Sequence, residues 1–389
     1  MIKVLTVISK VYDSKEFEGL VEHWDRSRGM LEFLFLNEVP DSKTQRVIRA
    51  KGFTSTTIVY RGWLDIIPTL FRVIRHLRRT RPDVVHANLL EASFLALLAG
   101  RITGIGRLVY TRHHTTHNHK YHPIRGVLYD RIINALAHHI VAITRNVAQV
   151  LVEKEGVPPE KISLIHHGFE LDAPAIRDEP QVQRLRNKYG LATGVPWPVI
   201  GVISRPFEWK GLDHVIPAFR TLLERWPDAR LMLFHWTSGA HSARYERMLA
   251  EIPAANWRTV VWETEMDALY HVFDTFVHVP EDAYSEAFGY VYVEALNHGV
   301  PSVMTSSGII TEFAHDQLNG VRIVPFKDPK AIADAMRYWI ERPCDAEMRI
   351  ENARVNTKYM NSLIGMSRKM NALHDFYGSI TVGNKADPI

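Results

Sequence analysis

Cysteine is nearly missing from this sequence: Cys344 stands alone among 389 residues. An intramolecular disulfide is therefore impossible, a multi-cysteine zinc site cannot be built within one chain, and a reducing compartment is expected. Long apolar runs are missing too. Residues 4–8 are too few to cross a bilayer and lack signal-peptide character, and residues 89–98 are interrupted by Glu91, so a soluble or peripheral protein is expected. Nor does charge of one sign dominate. The 47 Lys and Arg against 43 Asp and Glu leave a formal +4, and a pI near 9.0 admits nucleic acid, anionic lipid or a phosphate-bearing small molecule as partner without choosing among them. No Gly-x-Gly-x-x-Gly follows the first strand, which removes the direct sequence argument for a dehydrogenase. No Asp-x-Asp metal-binding element occurs either.

What remains is a globular composition. Hydrophobic residues at 46% and charged residues at 23%, with 22 Gly and 20 Pro, exclude disorder, collagen-like repeat and disulfide scaffold as the main architecture. The length favours two domains, with roughly three quarters of the extended chain's surface buried on folding. Strands are predicted over residues 1–8, 84–86, 108–111, 140–143 and 161–165, with helices over 89–99, 126–137 and 144–155, the last capped by Thr144. Between Gly168 and Pro198 the chain turns polar and is punctuated by Pro174, Pro180, Gly190, Gly194, Pro196 and Pro198, which marks a boundary. A second series follows, with strands over 199–204, 230–235, 259–262, 275–279 and 302–304 and helices over 212–225, 266–273 and 290–298. Alternating strand and helix in two halves of similar size imply two Rossmann-like α/β domains facing a cleft.

Three constellations hold candidate chemistry. Ser285-Glu286-Ala287-Phe288-Gly289 is followed by Val293-Glu294-Ala295-Leu296 and Gly299-Val300-Pro301, which sets two carboxylates in a loop and on the helix after it. Carboxylates accept short charge-assisted bonds from sugar hydroxyls. Gly201-Val202-Ile203-Ser204-Arg205 with Lys210-Gly211 places two cations around a loop after a strand, where they neutralise phosphate charge. Thr111-Arg112-His113, continued by His114-Thr115-Thr116-His117-Asn118-His119, is a histidine-rich loop in the first half. Its spacing is not that of a closed zinc site, and no metal is expected there.

Together these elements resemble the GT-B retaining glycosyltransferases of family 4, the group 1 type, and the resemblance spans essentially the whole chain. It implies an α/β GT-B fold with an N-terminal acceptor-side domain over 1–170, a linker over 171–198 and a nucleotide-sugar domain over 199–345. Helices over 346–389 are then expected to finish the second domain and cross back toward the first. By the same resemblance Glu286 meets the donor sugar and Glu294 the ribose, Arg205 and Lys210 contact the diphosphate, and Phe288 and Gly289 complete the donor site. His113 approaches the donor sugar. Gly19 stands near the relatives' glycine-containing acceptor or phosphate loop, and His114 occupies a position where relatives often have aspartate. Ser204 replaces the usual glycine before the arginine.

The implied activity is metal-independent transfer of a hexose-type sugar, with retention, from a nucleoside diphosphate sugar to a glycan or lipid-linked acceptor, as in polysaccharide or lipopolysaccharide biosynthesis. No cofactor besides the donor substrate is expected. A GT-B-shaped nucleotide-sugar epimerase and a non-catalytic nucleotide-sugar-binding module are the alternatives. Residues 71–79 alternate apolar and cationic positions at helical spacing, either as contact with an anionic membrane at the inner face of the cell membrane or as an ordinary cover for the first sheet. No RNA-recognition aromatic motif is present, and a cytoplasmic chain that binds no nucleic acid is expected.

Overall fold

A computed structural model of the chain describes residues 1–172, 179–191 and 197–382. The chain divides into two compact units, one formed by Met1–Glu170 and the chain from Leu363 onward, the other by Leu171–Ser362. Each is built on one parallel sheet.

In the first unit the order runs β1 (Ile2–Ser9), α1 (Lys15–Glu22), β2 (Gly29–Asn37), α2 (Lys43–Ala50) and β3 (Thr54–Val59). It continues with α3 (Ile66–Thr80), β4 (Val84–Asn88), α4 (Leu90–Thr103), β5 (Leu108–Arg112), α5 (His117–Tyr121) and α6 (Arg125–Leu136). β6 (His139–Ala142), α7 (Arg145–Glu153) and β7 (Ile162–Leu164) close the sheet, whose strand order is β3-β2-β1-β4-β5-β6-β7. Strands covered on both faces read as near-continuous apolar runs rather than alternating ones. Six consecutive residues of β1 and all five of β4 are accordingly buried. Ser42 and Gln45 form a capping box that starts α2, and Thr144 accepts from the Val147 N–H to start α7.

The second unit contains α8 (Glu179–Lys188), β8 (Val199–Ile203), α9 (Leu212–Leu222), β9 (Arg230–Phe234), α10 (Ala243–Ala250) and β10 (Trp257–Val260). Then come α11 (Met266–Val272), β11 (Thr275–His278), α12 (Tyr290–Asn297), β12 (Ser302–Met304), β13 (Val321–Ile323), α13 (Pro329–Glu341) and α14 (Ala346–Ile364). Its strands order as β10-β9-β8-β11-β12-β13 around a core that includes Val202, Leu212, Phe219, Val277 and Met336. The last helix, α15 (Met366–Val382), belongs to the first unit, where Met370, Leu373 and Phe376 pack with Phe17 and Leu20 of α1 and Ile48 of α2.

Three differences from the sequence reading have physical causes. Periodicity places no element over residues 29–59, yet β2, α2 and β3 occupy them. The polar stretch expected as a linker contains α8, which buries Val182 and Leu185 and so belongs to the second unit; Pro174, Gly194 and Pro196 lie outside the described residues. Gly19 is not in a loop: it sits inside α1, where an added Cβ would stand 2.6 Å from Met366 Cε. It is a close-packing position between helices, with no phosphate-facing backbone. No helix among the described residues is long and apolar enough to cross a membrane.

Candidate active site

Ligands of open parallel sheets bind outside the C-terminal strand ends, where the strand order reverses direction. In the second unit β8 lies between β9 and β11, so the reversal falls between β8 and β11. The loops after these two strands hold the predicted donor residues.

After β8 the chain passes Arg205, whose exposed guanidinium lies over the Phe207 ring at 5.4 Å, and makes a single 3-10 turn over Glu208–Lys210. Gly211 then opens α9 at φ 76°, with its Cα so close to β11 that a Cβ would fall 1.9 Å from the Val279 carbonyl oxygen. Only glycine fits there, and the tight turn directs Lys210 inward. Its ammonium donates to Glu286 Oε1 at 2.5 Å. From the end of β11, His278 Nε2 donates to the same oxygen at 2.9 Å.

Glu286 is buried, and its backbone N–H donates to Ser307 Oγ at 3.0 Å, which ties it to the loop after β12. That loop closes on it through Gly308 at φ 63°, where a Cβ would stand 2.4 Å from the Phe288 carbonyl oxygen. Burial pushes the Glu286 pKa upward, but the Lys210 charge and the His278 hydrogen bond outweigh it and hold the carboxyl at about 2. It is a carboxylate at any physiological pH. Phe288 is buried, and Gly289 sits at φ 87° as the N-cap of α12. Glu294 lies on α12 and accepts from the buried Tyr270 hydroxyl at 2.7 Å, so it is oriented by a different group from Glu286. The structure thus joins Lys210 and Glu286 directly and sets Arg205 on the same loop as Lys210, whereas the contacts of Glu294 run to α11.

The first unit has its own reversal, between β1 and β4. Glu16, in the first turn of α1, accepts from His167 Nδ1 at 2.7 Å and from the Lys369 ammonium of α15 at 3.1 Å. His113 stacks on His167 with ring centroids 5.4 Å apart, and its Nε2 meets Asn88 Oδ1 at 3.2 Å. Burial pushes the His113 imidazole down to about 3, against the attraction of Glu16, so it is neutral at pH 7. Beside this group lies a cavity of about 30 Å³ lined by Thr6, His86, Asn88 and Thr111 among others, room for an ordered water. Leu89, next to Asn88, has φ 70° and ψ 159°, a region that β-carbon-bearing residues rarely enter. Strain of this kind concentrates at functional sites.

Glu16, His113 and His167 are also the group, among the described residues, with the donor set for a metal ion, their ligand atoms lying within 4.8 Å of one another. The Lys369 ammonium already neutralises that carboxylate, so a metal ion entering there would meet its charge. His114 points elsewhere: its Nε2 donates to Asp130, part of a buried network in which Arg112 bonds both Asp130 and Glu155. The sequence reading missed His278, Glu16 and Lys369. His278 was within reach, because a polar side chain ending an otherwise apolar strand eight residues before Glu286 is a usable signal.

Residues 20–173 match the family described as Glycosyltransferase Family 4, and residues 184–356 match Glycosyl transferases group 1. The chain is a group 1 glycosyltransferase of the GT-B fold. A D-inositol 3-phosphate glycosyltransferase of Xylanimonas cellulosilytica is 29% identical over 54% of this chain and 50% of its own. A glycogen synthase of a Marinomonas species is 26% identical over 62% of this chain and 50% of its own. The chain thus spans about half the length of the curated relatives it matches. Among solved structures, Anabaena Alr3699/HepE in complex with UDP and glucose superposes with a TM-score of 0.77 at 17% identity, over 97% of this group 1 chain and 100% of that one. That likeness is one of fold.

Proposed function

We propose that this glycosyltransferase moves a hexose-type sugar, with retention of anomeric configuration and without a metal ion, from a nucleoside diphosphate sugar to a hydroxyl of a glycan or lipid-linked acceptor. The observation that carries the reading is the Lys210–Glu286 pair at the sheet reversal of the second unit, with Arg205 on the same loop. A departing diphosphate gains negative charge as the glycosidic bond breaks, and fixed cations stabilise that charge most where water is scarce. Arg205 and Lys210 supply the cations. Glu286, held ionised, accepts hydrogen bonds from sugar hydroxyls, and His113, neutral, donates one in turn; Glu294 takes the ribose. A front-face attack fits this set, with a diphosphate oxygen receiving the acceptor proton and no carboxylate serving as nucleophile. UDP and UDP-glucose complexes of the Anabaena protein support a nucleotide sugar as the donor class. The setting proposed is cytoplasmic.

Incubation with uridine, guanosine and adenosine diphosphate sugars and a panel of glycan and lipid-linked acceptors tests the reading. One donor is expected to yield nucleoside diphosphate and a new glycoside whose anomeric centre, by NMR, keeps the donor's configuration. Turnover is expected to persist in chelator. Inversion at that centre removes the retaining mechanism, and loss in chelator restored by magnesium or manganese removes metal independence. A product that is only an epimerised nucleotide sugar selects the epimerase, and tight donor binding without any turnover selects the binding module.

A further inference from the structure

The outer face of α3 and α6, on either side of α4, carries exposed apolar side chains. A 3-10 turn over Trp63–Asp65 precedes α3, and there Trp63 is 78% and Leu64 85% exposed. One helical turn on, Ile67 and Phe71 are exposed as well, while Val73, Ile74 and Leu77 face the core. On α6 the same pattern recurs: Ile124, just before the helix, is 80% exposed and Leu128 is exposed one turn later. The two stripes flank α4, which contacts both helices and joins α6 through the Phe94–Tyr129 ring contact at 5.3 Å. Helices α3, α4 and α6 each begin beyond the C-terminal end of a strand of one parallel sheet, so these apolar groups gather at one edge. Isolated exposed apolar side chains need no explanation, but a cluster rimmed by charge does.

The rim is cationic. Positions 67, 71, 75 and 78 lie on one stripe of α3, and along it Ile67 and Phe71 give way to the exposed Arg75 and Arg78, flanked by Arg72 and Arg79. Eight residues of helix separate Ile67 from Arg75, about 12 Å of rise. Apolar groups of a surface-bound helix enter a bilayer by roughly 5–10 Å, which leaves Arg75 and Arg78 at the depth of lipid phosphates. Apolar tip and basic collar therefore match the cross-section of one leaflet. We infer that this face docks the chain on an anionic phospholipid bilayer, Trp63, Leu64, Ile67 and Ile124 entering the leaflet and the α3 arginines meeting its phosphates. The inference concerns the partner of the first unit and rests on no step of sugar transfer.

Cosedimentation of the full chain with phosphatidylglycerol–phosphatidylcholine vesicles, against phosphatidylcholine alone, tests it without any turnover. Strong binding to the anionic vesicles, weakened by added salt, is expected. Arg75→Gln with Arg78→Gln removes two near-surface cations and is expected to lower partitioning about thirtyfold. Leu64→Ser with Ile67→Ser, both at exposed positions that folding does not need, is expected to lower it by at least about tenfold. Failure to bind anionic vesicles at low salt overturns the inference, and so does binding indifferent to Leu64→Ser with Ile67→Ser. Sedimentation velocity in lipid-free buffer covers the other occupant: a dimer of the natural chain that the same pair of substitutions dissociates would assign the face to a second copy and reject the bilayer.

Discussion

Lys210→Ala is expected to lower kcat by about 10²–10³-fold, the scale on which a single preorganised charge stabiliser contributes to a transition state. The loss should fall on kcat rather than KM, because the ammonium acts on charge that develops only as the diphosphate departs. In the resting structure that ammonium is bonded to Glu286, so its removal also changes the carboxylate. The folded pKa of Glu286 is held at about 2, below its ordinary 4.5, with Lys210 the largest lowering influence against burial. A depressed carboxyl contributes stability that is present above 4.5 and lost as pH falls toward 2. The variant has less of this stability to lose. Its melting temperature should therefore lie well below that of the natural chain at pH 7, and the gap should narrow as pH falls from 4.5 toward 2. Steady-state kinetics on the donor found in the panel, with thermal melts at two pH values, check both halves. A kcat within about twofold of the natural chain would remove Lys210 from the chemistry.

The residues of this prediction were legible because their spacing is local. Glu286, Gly289 and Glu294 fall within nine consecutive positions, and Arg205 and Lys210 within six, so one strand–loop–helix junction fixes each set. His278 stands on that same junction, only eight residues before Glu286, and went unread because it ends an otherwise apolar strand, whereas Ser307 reaches Glu286 from the loop after β12, a contact set by the pairing of β11 with β12. Contact at a distance in sequence also hides the Glu16 cluster: its three partners come from α1, the loop after β7 and α15, hundreds of residues apart along the chain. For the fold, the second half read well because turns and strands alternate at short intervals. Residues 29–59 did not. β2 is apolar almost throughout, a run that period alone does not distinguish from a buried helix, and β3 is mostly threonine and serine with little alternation. Arg112 was read in the company of His113 beside it, whereas its side chain is 1% exposed and bonds the buried Asp130.

Arg112 accordingly governs stability. Its guanidinium bonds Asp130 at 3.1 Å and Glu155 at 2.5 Å, both carboxylate side chains being fully buried, and its Nε donates to the His114 carbonyl oxygen. Asn118 and Asn134 fill the remaining carboxylate positions. One planar cation thus serves two acids and a backbone oxygen at once, a geometry lysine cannot reproduce. Removing one partner of a buried ion group strands the others in a medium that solvates them poorly, at a cost of about 3–5 kcal/mol. Arg112→Met keeps the bulk and removes the charge, so we expect a fall of that size, or about 6–20 °C in the melting of the first unit. Arg112→Lys should recover only part of it. Arg354→Ala, in the second unit, is the exposed control: that arginine pairs with Glu351, 61% and 52% exposed, and its loss should leave the melting close to that of the natural chain. Adding Asp130→Asn and Glu155→Gln to Arg112→Met removes the stranded charges and should restore part of the lost stability, since neutral amides are far less costly to bury unpaired than carboxylates. A melt of Arg112→Met indistinguishable from that of Arg354→Ala would show that the His113 loop is held by packing alone. A large drop that the triple substitution does not relieve would place the cost in lost shape and hydrogen bonding rather than in stranded charge.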